Sequence, residues 1–159
     1  MSVYILFSFI LSFILFSIAM EDIGKMKISE NKLRLLAGSA ISYILILGIS
    51  DDKIDIIHLI IKNLFAMLFI FILLLSISYI SYKILKINSL GFGDIKLSAI
   101  SSLWLGIELS IISLYISFLL SAIYSIYGKV TKRFKTLQQY PFAPFLSIGI
   151  ICSWILDKI

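Results

Sequence analysis

The stretch LFAMLFIFILLLSISYISY, residues 64–82, contains no charged side chain. Leucine, isoleucine and phenylalanine fill most of it, and no glycine or proline interrupts it. About 20 residues of apolar α-helix are needed to span the hydrocarbon core of a bilayer, which is roughly 30 Å thick. The stretch therefore predicts a helix that crosses a membrane.

Further uncharged runs surround this stretch, at residues 1–20, 35–50, 97–107, 109–127 and 138–156. The run 97–107 becomes long enough to span a bilayer only if its helix begins near Asp94 and continues past Glu108. Charged residues make up 14% of the chain, against about a quarter in soluble globular proteins. No run alternates in polarity like a strand of a membrane barrel. We predict an all-α polytopic membrane protein, a single domain over residues 1–159 with six transmembrane helices.

The basic residues are concentrated in every second connection between these predicted helices. The first, third and fifth connections and their flanks contain Lys25, Lys27, Lys32, Arg34, Lys83, Lys86, Lys96, Lys129, Lys132, Arg133 and Lys135. Short connections that remain in the cytoplasm are enriched in lysine and arginine. We therefore expect these connections to face the cytoplasm and the N-terminus to lie outside. Topology and lipid headgroups account for the lysines, so no nucleic-acid partner is expected.

Two aspartates lie at the predicted cytoplasmic ends of helices. Asp22 ends the first helix in AMEDIGKMKISENKL, and Asp94 begins the fourth in GFGDIKL. Both are thus expected at the same depth on the same side of the membrane. Two neighbouring carboxylates tend to share one proton, because adjacent negative charges repel each other. In aspartic proteases one such carboxylate takes a proton from water while the other hydrogen-bonds the scissile carbonyl, so Asp22 and Asp94 are candidate catalytic residues.

Gly91 and Gly93 are candidate substrate-binding residues, because the absence of Cβ atoms would let a substrate backbone approach Asp94 closely. Each feature also has a simpler explanation. An aspartate at a helix start caps free N–H groups, and Asp22 can be an interfacial charge beside Glu21. The chain has one cysteine, which offers neither a disulfide nor a cysteine zinc site, and we predict no metal and no cofactor.

Three motifs occur in order along the chain: DIGKMKISENKL, GFGDIKL and YPFAPFLSIG. Together they resemble the type IV prepilin peptidases, a family of membrane aspartic proteases that also processes archaeal preflagellins. In that family an aspartate precedes an Ile/Leu-Pro-Asn/Asp element at a fixed distance, G-x-G-D-x-K-L follows, and P-F-[GA]-P-[FY] opens the last helix. Ser29 and Glu30 depart from this pattern, since they stand where the family has proline and then asparagine or aspartate.

The resemblance implies an aspartic endopeptidase of the cell membrane with Asp22 and Asp94 as its catalytic pair. Its substrates would be prepilin-like or preflagellin-like proteins, which lose a short basic leader at the cytoplasmic face. Larger bacterial members carry an insertion with paired C-x-x-C motifs that is linked to methylation of the new N-terminus. This sequence has no cysteine pair and resembles the form that acts only as a peptidase.

Two other classes of protein remain as alternatives. A small transporter or channel subunit could use the aspartates as a proton or cation relay, although transporters usually place such acids near the bilayer midplane. The apolar runs of this chain are free of charge through their middles, which argues against a relay. The protein could also be a non-catalytic membrane scaffold, in which case its match to the three motifs would be a coincidence.

Overall fold

The computed structural model describes residues 2–50, 55–86, 90–133 and 140–156. These ranges form the helices α1 (Ser2–Lys25), α2 (Glu30–Ser50), α3 (Ile56–Leu85), α4 (Phe92–Val130) and α5 (Ala143–Leu156). No strand occurs within them, which confirms the prediction of an all-α protein.

The helices α1 to α4 are each long and apolar enough to cross a membrane, and α5 is a shorter apolar helix of 14 residues. Their outer faces carry large apolar side chains. On α1, for example, Phe9, Phe13 and Phe16 are between 65% and 74% exposed. Apolar surface of this density is unfavourable in water, so lipid is the natural solvent for these faces. The bundle is therefore that of a membrane-embedded protein.

The predicted fourth and fifth helices correspond to the two parts of α4, but α4 is broken at Gly106, so its first part does not continue past Glu108 as expected. Gly106 has φ 72° and ψ −176°, a backbone conformation that is essentially restricted to glycine. The Asn63 amide on α3 donates a hydrogen bond of 3.1 Å to the Leu103 carbonyl, so a backbone group next to the break has a buried partner. Ser98 before the break and Ser113 after it line one small cavity, which requires α4 to fold back on itself.

The two ends of the helical bundle differ in character. One end contains a cleft lined by residues near the end of α1 and the starts of α2 and α4, among them Asp22, Leu33 and Asp94. The other end contains a cluster of aromatic side chains from four helical segments, in which the centroids of neighbouring rings lie between 5.1 and 6.0 Å apart. These aromatic residues are Phe7, Tyr43, Trp104 and Trp154.

The two helices that carry the aspartates are held apart by α2 and α5. Within the described ranges the backbones of α1 and α4 do not come into contact, whereas α2 and α5 each pack against both. A side chain at Gly149 of α5 would collide with the Ser117 hydroxyl and the Ser113 carbonyl of α4, so glycine allows a close approach. On the other side, the Ser147 hydroxyl donates to the Leu15 carbonyl of α1 at 3.2 Å. The spacing of α1 and α4 is therefore set by the helices between them.

Candidate active site

Asp22 lies in the last turn of α1, yet only 5% of its surface is exposed. Its Oδ2 atom accepts a hydrogen bond of 3.0 Å from the backbone N–H of Ala143, the first residue of α5. The N–H of Phe142 faces the same carboxylate. A helix N-terminus favours a carboxylate, because free N–H groups and the helix dipole both point towards it. Asp22 is thus the cap of a helix that begins 121 residues further along the chain.

The first turn of α5 depends on this contact. Pro144 has no N–H, and the N–H groups of the next two residues both bond to the Phe142 carbonyl, at 3.0 and 3.2 Å. The N–H of Ala143 is then the donor that still needs a partner, and Asp22 supplies it. The YPFAPF motif therefore starts a helix, as prolines commonly do, and directs the first N–H of that helix to a predicted catalytic residue.

Asp94 is the third residue of α4 and is half-buried. Its backbone N–H donates to the Gly91 carbonyl at 3.1 Å. Its carboxylate interacts with the Gly91 N–H, as an acidic side chain at the third position of a helix often does. The capping role that the sequence suggested for Asp94 is thus present, and the carboxylate also interacts electrostatically with Asp22.

Asp22 and Asp94 line one cleft of about 290 Å³ at the end of the bundle. The remaining wall residues are Met26, Lys27, Ile28, Glu30, Leu33, Gly91, Phe92, Gly93 and Lys96. The structure therefore brings the two predicted catalytic residues together, from helices whose backbones do not touch.

Gly91 and Gly93 also line the cleft, and each leaves room for a specific side chain. A Cβ atom at Gly91 would lie 2.9 Å from the Asp94 Oδ2 atom, and one at Gly93 would lie 3.4 Å from the Ile28 side chain. Neither glycine has a positive φ, so the backbone conformation does not require glycine here. The contact between Gly93 and Ile28 packs the first motif against the second, and the binding of substrate by the glycines stays a prediction.

Four charged residues near the cleft make contacts that the sequence did not indicate. Glu30 of α2 forms an ion pair with Lys96 of α4. Glu21 of α1 forms one with Lys32 of α2, with 3.0 Å between nitrogen and oxygen. From the sequence, Lys32 and Lys96 served only to predict which connections face the cytoplasm. All four residues lie within or beside the first two motifs, but their pairing depends on how the helices are rotated about their axes.

The arrangement defines a membrane-embedded helical protein with a paired-aspartate site at the end of its bundle. Two carboxylates in one cleft can divide acid and base roles between them. Within the described ranges, no group of three or more His, Cys, Asp or Glu side chains is placed to hold a metal ion.

The chain belongs to the type IV leader peptidase family, which it matches over residues 9–126. A stretch of 68 residues is 32% identical to the prepilin leader peptidase/N-methyltransferase of Bacillus subtilis (strain 168). That stretch is 43% of this chain and 27% of the relative, so the match spans about a quarter of the relative's length. No solved structure matches the chain. The family range contains both Asp22 and Asp94, and the resemblance inferred from the motifs is confirmed.

Proposed function

We propose that the protein is an aspartic endopeptidase that removes the short basic leader from prepilin-like or preflagellin-like membrane proteins. The observation that carries this proposal is the shared cleft of Asp22 and Asp94. The family supports the reaction and the substrate class. A prepilin-like substrate is an apolar helix with a basic leader, so it can lie beside the bundle with its cleavage site at the level of the helix ends.

In the proposed reaction a water molecule lies between the two carboxylates. One carboxylate accepts a proton as the water oxygen attacks the scissile carbonyl, and the protonated partner donates a hydrogen bond to the carbonyl oxygen. The tetrahedral intermediate then collapses, and the accepted proton moves to the leaving amide nitrogen. The Ala143 N–H, 3.0 Å from Asp22, and the Gly91 backbone beside Asp94 orient the two side chains for these steps.

The proposal includes a membrane orientation with six crossings, the N-terminus outside and the cleft at the cytoplasmic face. The fold-back of α4 at Gly106 gives that helix two antiparallel parts, which we assign to two crossings. Lys25 ends α1 at the cleft end and Lys27 follows it, while Lys86 caps the end of α3 and Lys129 lies in the last turn of α4. Lysines at one end of a bundle are typical of its cytoplasmic side.

The direct test is cleavage of a prepilin-like protein by the purified chain in lipid nanodiscs. Mass spectrometry of the product should show a new N-terminus at the leader junction. Asp94→Asn should give no product, whereas Asp55→Asn should cleave normally, because Asp55 is an exposed cap of α3 and asparagine caps helices equally well. The absence of cleavage by the unaltered chain, or equal cleavage by the Asp94→Asn variant, would overturn the proposal.

A further inference from the structure

We propose that the first turn of α2 acts as a clamp that sets the relative position of Asp22 and Asp94. The inference rests on the proposed function, because it concerns the alignment of the two catalytic carboxylates. The α2 clamp consists of Glu30 and Lys32, which bind the helices on either side. It adds two positioning residues to a site in which the sequence indicated only the aspartates and glycines.

The first arm of the clamp holds α1. The Lys32 ammonium lies 3.0 Å from Glu21 Oε2 and donates a hydrogen bond of 2.6 Å to the Ser17 carbonyl. The backbone N–H of Ser29 faces the same Glu21 carboxylate. Glu21 directly precedes Asp22, and the Glu21 and Lys32 side chains are only 17% and 29% exposed. This arm therefore fixes the turn of α1 that carries Asp22.

The second arm holds α4. The Glu30 carboxylate pairs with the Lys96 ammonium, which also lies 4.9 Å from the centre of the Phe92 ring. Lys96 follows Asp94 by two residues, in the first turns of α4. Ile28, which precedes α2 by two residues, also packs against Gly93. This arm fixes the turn of α4 that carries Asp94.

A clamp is needed because α1 and α4 have no direct backbone contact in the described ranges. At the cleft end, α2 bonds to both helices through charged side chains. The charges also prevent the arms from exchanging partners. Glu30 would be repelled by Glu21, and Lys32 would be repelled by Lys96, so only one pairing is favourable.

The clamp should affect turnover more than stability. Partly exposed ion pairs add little to the stability of a fold, because water screens them and long side chains lose entropy. A displacement of about 1 Å, in contrast, can lower a catalytic rate about 100-fold. A purely structural ion pair would change the amount of folded protein, whereas a positioning pair should change kcat in protein that remains folded.

The test reverses the charges of the exposed arm. Glu30→Lys and Lys96→Glu should each lower kcat for leader removal about 10- to 100-fold, with little change in membrane level. The double variant Glu30→Lys/Lys96→Glu restores opposite charges and should recover most of kcat. Lys129→Glu is the matched control, since this exposed lysine lies at the end of α4 outside the cleft and should leave kcat unchanged.

The more buried arm is tested by a conservative change. Lys32→Arg keeps a cation that can donate to both Glu21 and the Ser17 carbonyl, so it should retain most of kcat. Lys32→Met keeps the length of the side chain without the charge, and it should lower kcat in the same way as the reversals of the other arm.

Hydrogen–deuterium exchange separates failure of this inference from failure of the proposed function. Backbone amides in residues 26–34 and 91–97 should exchange faster in each single reversal than in the unaltered chain, and slowly again in the double variant. This readout needs no substrate, so it tests the clamp even if the protein cleaves no prepilin. The clamp is refuted if single reversals leave exchange unchanged, or if the double variant exchanges as fast as the single ones.

Discussion

Substitution of Asp22 should separate its structural role from its catalytic role. In Asp22→Asn the amide oxygen can still accept the Ala143 N–H, now 3.0 Å from Oδ2. The bond loses its charge, and neutral hydrogen bonds contribute about 1 kcal/mol less than charged ones. Asp22→Ala removes the acceptor, which leaves a buried N–H unsatisfied at a cost of about 1 to 3 kcal/mol. Asparagine also removes the cost of burying a carboxylate and its repulsion by Asp94, which offsets the weaker hydrogen bond. Asp22→Asn should therefore be about as stable as the unaltered chain, and Asp22→Ala should be less stable than both.

Activity should follow a different order. Neither asparagine nor alanine can accept a proton from water, so both Asp22 variants should lose essentially all cleavage. General acid–base steps typically contribute about 10²- to 10⁴-fold each. Asp94→Asn should lose activity to the same extent. The double variant Asp22→Asn/Asp94→Asn should be scarcely worse than either single one, because residues that act as one unit are not additive.

The assay measures both properties on the same purified samples. Initial rates of leader removal are followed by mass spectrometry, and thermal unfolding is followed by the fluorescence of the buried Trp104 and Trp154. Asp55→Asn is the matched control, since it makes the same chemical change at an exposed helix cap. An Asp22→Asn variant that is folded and still cleaves would show that Asp22 only caps α5. Cleavage by Asp94→Asn would likewise show that Asp94 is not catalytic and that the GFGD motif only starts α4.

Three further predictions test the packing, the topology and the scope of the reaction. Gly149→Ala should destabilise the bundle by about 1 to 3 kcal/mol in thermal unfolding, because its methyl group would collide with the α4 backbone; Gly24→Ala, in open space within α1, should instead be neutral or stabilising. Single cysteines at Asp52, which lies outside the described residues, and at Thr131 should react with an impermeant reagent from opposite sides in a Cys152→Ser background; equal labelling of both from outside would contradict the orientation. Product made by this chain with S-adenosylmethionine should not gain a methyl group, and a product heavier by one methyl would refute a peptidase-only activity.

The helical character of the chain and the position of the aspartates near helix ends could be predicted from the sequence, because both follow from one-dimensional patterns. An uncharged run long enough to span a bilayer has few alternatives to a helix. An aspartate next to such a run must lie near a helix end, and the structure places Asp22 and Asp94 there. The alternation of basic connections then predicts which ends meet, and the two aspartates do line one cleft.

The contacts that position the aspartates could not be predicted, because they depend on how each helix is rotated about its axis. Nothing in the sequence relates Asp22 to the N–H of Ala143. The pattern of basic residues predicts on which side of the membrane Lys96 lies, but it does not predict that Lys96 pairs with Glu30. A break between the predicted fourth and fifth helices was expected, but not its position at Gly106. Gly106 occurs in an apolar run where glycine is common, and its role follows from a positive φ that only the folded chain reveals.

The structure explains how the chain can have Ser29 and Glu30 where the family has proline and then asparagine or aspartate. Proline would fix the backbone before α2, but it has no N–H. In this chain the Ser29 N–H faces the Glu21 carboxylate, and Glu30 pairs with Lys96. The connection is therefore held on both sides by charged side chains and by the packing of Ile28 on Gly93. A connection that is fixed in this way does not need the rigidity of proline, so the loss of the family residue is compatible with a retained paired-aspartate site.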